Sequence, residues 1–169
     1  MAEMITPEMN ALEKKCVSQV IGQKCVRCHI GDDRSFFLGF GEIVTLKSRL
    51  VEAQHATWEI GTYYDSWRIV KSGEIICGRQ DAVDSVQELR QTVSRVSWGN
   101  CCAIRQLTRF DVRIEFGNDL AVDILATTSE DDEVLHIFCP EKMVVTFSLA
   151  HGWVAGRSDT AWKNPATVC

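Results

Sequence analysis

Phe110-Asp111-Val112-Arg113-Ile114-Glu115-Phe116-Gly117-Asn118-Asp119-Leu120-Ala121-Val122-Asp123-Ile124 is the stretch that decides the fold class. Val112, Ile114 and Phe116 alternate with polar residues, the two-residue period of a strand with one buried face. Gly117-Asn118-Asp119 tolerates turn backbone, and Leu120, Val122 and Ile124 resume the apolar face on the return. Short strands joined by tight turns pair antiparallel. Outward from this hairpin the pattern recurs. Phe36, Leu38 and Phe40 lead to a Gly41-Glu42 turn and then Ile43-Val44-Thr45-Leu46. Trp67-Arg68-Ile69-Val70 turns at Ser72-Gly73 into Ile75-Ile76-Cys77, and Leu135 to Phe138 precedes Val144 to Phe147. No strand–helix–strand rhythm argues for a parallel sheet.

A helix precedes each group of strands. Thr6, Pro7 and Glu8 suit a helix start, Met9, Leu12, Cys16 and Val20 share one face, and Gly22 suits its end. Asp81 or Asp84 caps the second helix, whose stripe is Val86, Leu89, Val93 and Val96, closed by Gly99. Leu12, Gly22 and Cys25 match Leu89, Gly99 and Cys102 at one constant offset, and Phe40-Gly41 matches Phe116-Gly117 one residue short of it. The expected fold is therefore α+β and β-rich. It consists of two tandem helix-plus-antiparallel-strand repeats packed as one pseudo-twofold body, the helices covering one sheet face. Residues 1–79 form the first repeat, with an insertion about 48–60, and residues 80–156 the second. Residues 157–169 read as a C-terminal tail that Trp162 pins down.

Hydrophobic residues at 46% and charged residues at 24% describe a globular chain rather than a disordered one. The net charge of −5, concentrated in residues 79–169, argues against a nucleic-acid binder, which needs a basic face. Met1 to Pro7 has no signal-peptide pattern, and no apolar run reaches the ~20 residues of a membrane span, so a cytoplasmic chain is expected. Reduced thiols are then the rule. Most of the 8 cysteines read as small apolar residues, with Cys169 the exposed one.

Cys25-Val26-Arg27-Cys28-His29 spells the attachment motif of c-type haem, but in a strand residues 25 and 28 face opposite ways. The same alternation disfavours zinc, for which Cys101-Cys102 is the only other close pair, and a redox pair lacks a following helix. His29, His55, His136 and His151 stand in no nucleophile pattern, and Gly39-Phe40-Gly41 enters a turn rather than a helix. Asp32-Asp33 suits a turn. The expectation is a protein that is not an enzyme and takes no cofactor or metal. Candidate partner-binding residues are the acidic run Glu130, Asp131, Asp132 and Glu133 and the aromatics Trp58, Tyr63, Tyr64 and Trp67.

Trp67 to Gly78, the acid-capped helix after it, Gly99, the Phe110-to-Gly117 strand and Val154-Ala155-Gly156 resemble a family of uncharacterised bacterial proteins with two related halves. Such families are similar to predicted immunity proteins of polymorphic-toxin systems. The resemblance spans about Gly22 to Trp162 and carries no catalytic residue. Val134-Leu135-His136-Ile137 departs from it where an aromatic-rich strand would stand. The resemblance implies an immunity-type inhibitor whose partner is a cognate toxin. Two readings compete with it: a self-associating adaptor that forms a homodimer through strand edges, and an enzyme or small-ligand binder assembled only in three dimensions.

Overall fold

A computed structural model describes residues 9–47 and 52–159, the side chains of residues 46, 47, 52 and 53 excepted. The chain runs through α1 (Ala11–Ser18), β1 (Cys25–Ile30), β2 (Phe36–Lys47), β3 (Glu52–Thr62), β4 (Ser66–Lys71) and β5 (Glu74–Gly78). It continues with α2 (Val86–Ser94), β6 (Cys101–Gln106), β7 (Val112–Phe116), β8 (Leu120–Leu125), β9 (Glu133–Cys139), β10 (Met143–Ser148) and β11 (Gly152–Arg157). Every strand pair is antiparallel. One sheet has the order β1-β2-β3-β9-β10-β11 and the other β5-β4-β8-β7-β6. Each sheet thus combines strands from before and after residue 80.

Alternation fixes which faces meet. Leu38, Ile60 and Ile137 lie side by side across the first sheet, and Ile114, Val122 and Ile69 across the second. All six are inaccessible to solvent and belong to one core. Phe40 stacks on Phe116 at 5.9 Å between ring centroids, and Phe36 on Trp67 at 4.5 Å, so the sheets face each other. At one point the backbones themselves join. Lys24 bridges Asn100, the Cys25 N–H donates to the Gly99 carbonyl at 3.0 Å, and the Cys101 N–H donates to the Gln23 carbonyl at 2.9 Å.

Adjacent residues with positive φ sit in three of the hairpin turns: Ser72-Gly73, Asn118-Asp119 and Glu141-Lys142. Such turns match the right-handed twist of the strands they join. Gly41, at φ +85°, is not the turn its sequence suggests. β2 runs through it, and the register with β3 slips between Phe40 and Ile43, so Gly41 serves a bulge. The expected insertion is accordingly the far arm of a long β2–β3 hairpin; its residues 48–51 lie outside the described residues.

The helices also differ from expectation. Thr6, Pro7 and Glu8 lie outside the described residues, and the cap of α1 is Asn10. Its side chain accepts from the Leu12 and Glu13 N–H groups, and Glu13 Oε2 accepts from the Asn10 N–H at 2.8 Å. This capping box buries Glu13, turns Leu12 outward (48% exposed) and gives its core place to Val17. For α2 the cap is Ser85 rather than Asp81 or Asp84, and Leu89 and Val93 are buried. The helices do not share one sheet face: α1 lies against β10 and β11, α2 against β1 and β5. β11 continues where only a tail was expected, as far as Arg157; Trp162 and Cys169 lie outside the described residues. No helix among the described residues is long and apolar enough to cross a membrane.

Candidate functional site: an aromatic and acidic sheet face

The residues of the first sheet that point away from the core gather at one end into an aromatic cluster. Phe37 of β2 neighbours Gly61 of β3, which neighbours His136 of β9. A side chain at position 61 would lie 1.9 Å from the Phe36 carbonyl oxygen and 2.7 Å from the Phe37 ring, so only glycine lets the Phe37 ring settle there. Tyr63, just past β3, sets its ring edge-on to Phe37 at 4.9 Å and to His136 at 5.1 Å. Phe138 stacks on His136 at 5.9 Å. Tyr64 continues the patch outward, 70% exposed against 40% for Tyr63.

The acidic run borders this cluster. Asp65, 2% exposed, accepts from the Thr127 N–H at 3.2 Å, which ties the start of the loop before β9 to the Tyr63–Tyr64 corner. Burial raises the Asp65 carboxyl, and the nearby Asp132 raises it further. Asp131 accepts from the Ala150 N–H at 3.3 Å and lies 3.4 Å from His151 Nε2, while Asp132 accepts from the Glu133 N–H. Glu130 and Asp131 are exposed. Burial raises the Glu133 carboxyl, and Asp132 and Asp131 add to this. The surface is thus aromatic with a crowded negative rim.

Of the sequence-stated candidates, Tyr63, Tyr64, Asp131, Asp132 and Glu133 come together here with Glu130 beside them. Trp67 does not. It is 1% exposed in the core, its Nε1 donating to the Arg34 carbonyl at 2.8 Å, and no partner can touch it. Trp58 pairs with Phe40 on the core side of β3 and lines a groove under α1 with Gln19 and Pro140, away from Tyr63. Phe37, His136 and Phe138 are not among the partner-binding candidates the sequence offers. The signal was there: in the aligned strands they occupy the alternate, polar-expected positions, yet two of them are phenylalanine.

Cys25 and Cys28 do not face opposite ways as strict alternation predicts. A bulge between Cys25 and Arg27 brings Cys25 opposite Phe40 and Cys28 opposite Leu38, both core residues, so the two sulfurs share a face. Burial pushes the Cys25 thiol up to about 12 and that of Cys28 well above its ordinary value, which keeps both protonated. Cys25 and Cys101 bond alike, each thiol reaching the carbonyl two residues on. Among the described residues, no group of three or more His, Cys, Asp or Glu could hold a metal ion. No protein-family model, curated protein or solved structure matches the chain.

His136 gives this face a pH signature. Burial lowers it to about 4, with Asp132 opposing, and its Nδ1 is buried without a partner. The folded protein therefore holds the neutral ring while the unfolded chain protonates near 6.5. Its contribution to stability is complete above that value and is lost as pH falls from about 6.5 to about 4, to the extent of about 3 kcal/mol. Urea unfolding at pH 7 and pH 4.5 should show this loss, and His136→Phe, which keeps the stack, should remove most of it. Equal pH dependence in the two proteins would contradict the assignment.

Proposed function

We propose that the chain is a non-catalytic binding protein of the cytoplasm whose recognition surface is the Tyr63–Tyr64–Phe138 face with the Glu130–Glu133 rim. The observation that carries the reading is the meeting of exposed tyrosines with a carboxylate cluster at one end of the first sheet. Aromatic rings supply contact area and attract cations at their faces, and an acidic rim speeds encounter with a basic partner. The partner that fits is a protein with an exposed arginine- or lysine-rich surface. An immunity-type inhibitor covering the basic cleft of a bacterial toxin is the case the family resemblance implies.

The protein also reads as a duplicated unit. Support comes from the paired backbone bonds around Lys24 and Asn100 and from Phe40 stacked on Phe116. The strand orders agree as well, because β1-β2-β3-β9-β10 turns into β6-β7-β8-β4-β5 when each half is exchanged for the other. On this reading Phe37, Gly61 and His136 correspond to Arg113, Asp123 and Arg68, so one face of the ancestral unit has diverged into two surfaces of different chemistry.

The test is a pull-down from source-cell lysate with wild-type and Asp131→Lys/Asp132→Lys baits, followed by affinity measurement on what is retained. A basic protein held by the wild type, and bound about tenfold or more weakly by the double variant with a slower, salt-sensitive on-rate, supports the proposal. Equal binding by both baits sinks it. Retention of the bait's own copy alone would favour self-association through β5, an edge strand whose Ile75 is 59% and Ile76 39% exposed.

A further inference from the structure

The outer face of the second sheet carries a different arrangement. Asp123 in β8 lies in register between Arg68 of β4 and Arg113 of β7. The carboxylate is 0% exposed. Its Oδ1 accepts from Arg113 Nε at 2.6 Å, and its Oδ2 accepts from Arg113 Nη2 at 3.0 Å and from Arg68 Nε at 2.8 Å. Those three bonds leave both terminal nitrogens of Arg68 and Nη1 of Arg113 without a partner among the described residues. A cross-strand ion pair needs one arginine for one carboxylate; here two guanidiniums share one. The neighbouring carboxylate, Glu115, stands 2.9 Å from Arg105 Nε, in contact but out of line for a hydrogen bond, and its charge also acts on Arg113, so three arginines face two carboxylates here. Beyond these, Asp119 at the β7–β8 turn is the one other carboxylate lining the groove among the described residues, and it is exposed.

From this geometry we infer that the groove above Arg68 and Arg113, about 960 Å³ in volume, binds a ligand through an oxyanion, a carboxylate or phosphate group held by the free guanidinium nitrogens. Asp123 fixes both arginines before the ligand arrives, which lowers the entropy lost on binding. The forked N–H geometry of arginine suits two oxygens of one group. Val70, Ile75, Leu120 and Ala121 line the same groove and form an apolar shelf. The ligand class is therefore an oxyanion on an apolar or neutral body. This site is separate from the aromatic and acidic face, and it stands whether or not that face binds a protein.

The test is to titrate inorganic phosphate and benzoate separately into ¹⁵N-labelled protein at low salt. The arginine Nε–H signals and the amides of Gly73, Asn118 and Ala121 report on the groove. Saturating shifts there, weakened about tenfold or more in Arg68→Gln, support the proposal, and the tighter of the two probes names the head group. Ile75→Asp, on the exposed rim, leaves the arginines in place and is expected to weaken binding as well. Shifts that never saturate, or that saturate equally in Arg68→Gln, overturn it. Should Arg68→Gln fail to fold, unchanged affinity in Ile75→Asp overturns it instead.

Discussion

Asp123→Ala is expected to destabilise the protein by about 3 kcal/mol at pH 7, a large share of the stability of an ordinary domain. The carboxylate is inaccessible, and its removal leaves Arg68 and Arg113 facing each other across β8. The loss lies at the lower end for a broken buried pair because the arginine side chains are 37% and 28% exposed and water can reach them. Burial alone would raise the Asp123 carboxyl, but the bonds and charges of Arg113 and Arg68 outweigh it and hold the group below the ordinary carboxylate value. A depressed folded value means that the contribution is complete above the unfolded pKa and disappears as pH falls through the folded one. Wild type and variant should therefore differ most near neutral pH in urea unfolding and converge in strong acid. A difference that is small at pH 7, or constant down to acid, would show that the arginines do not depend on this carboxylate.

The same triad shows where the sequence was legible and where it was not. The Gly117-Asn118-Asp119 turn and the alternation on either side are readable from the chain, and they already place Arg113 opposite Asp123 by counting outward from the turn. Arg68 was not reachable that way, because β4 meets β8 from far away in the chain and no local pattern specifies that pairing. The same holds for β3 with β9, which brings Tyr63 to His136 and so creates the aromatic face. Single-residue slips account for most of the other differences. Glycine is as suitable for a bulge as for a turn, so Gly41 gave the right backbone signal and the wrong element. The bulge after Cys25 reversed the expected facing of Cys28, a reversal that strict alternation does not admit. Leu12 fitted an apolar stripe, but the capping box of Asn10 with Glu13 set the helix start and rotated it outward.

Two outer faces now stand at the positions that alternation reserves for solvent. One holds Phe37, Gly61 and His136, the other Arg113, Asp123 and Arg68. Neither set helps to close the core, because Leu38, Ile60 and Ile137, and Ile114, Val122 and Ile69, already do so from the inner faces. A side chain that the core does not require is free to serve recognition. Conversely, a large aromatic that the core does require is a poor candidate for a partner, however dense the aromatic stretch around it.

Trp67→Ala tests that distinction with the largest expected loss in the core, about 3–5 kcal/mol. The indole is 1% exposed, stacks on Phe36 at 4.5 Å from the opposite sheet and donates to the Arg34 carbonyl at 2.8 Å. Its removal leaves a cavity between the sheets and a carbonyl that keeps only its bond from Arg79 Nη1, at 2.9 Å. Arg34 sits at φ +63°, and its Nη1 in turn holds the carbonyls of Arg79 and Asp81, so the β1–β2 turn is tied to the segment after β5 through this point. The variant should unfold at markedly lower urea, whereas Tyr64→Ala, at a residue 70% exposed, should leave the midpoint almost unchanged. If Trp67→Ala keeps wild-type stability and loses only partner binding, the tryptophan is a contact residue and its place between the sheets is wrong. If it loses stability while Tyr64→Ala loses only binding, the two ends of one aromatic stretch divide the work between holding the sheets together and meeting a partner.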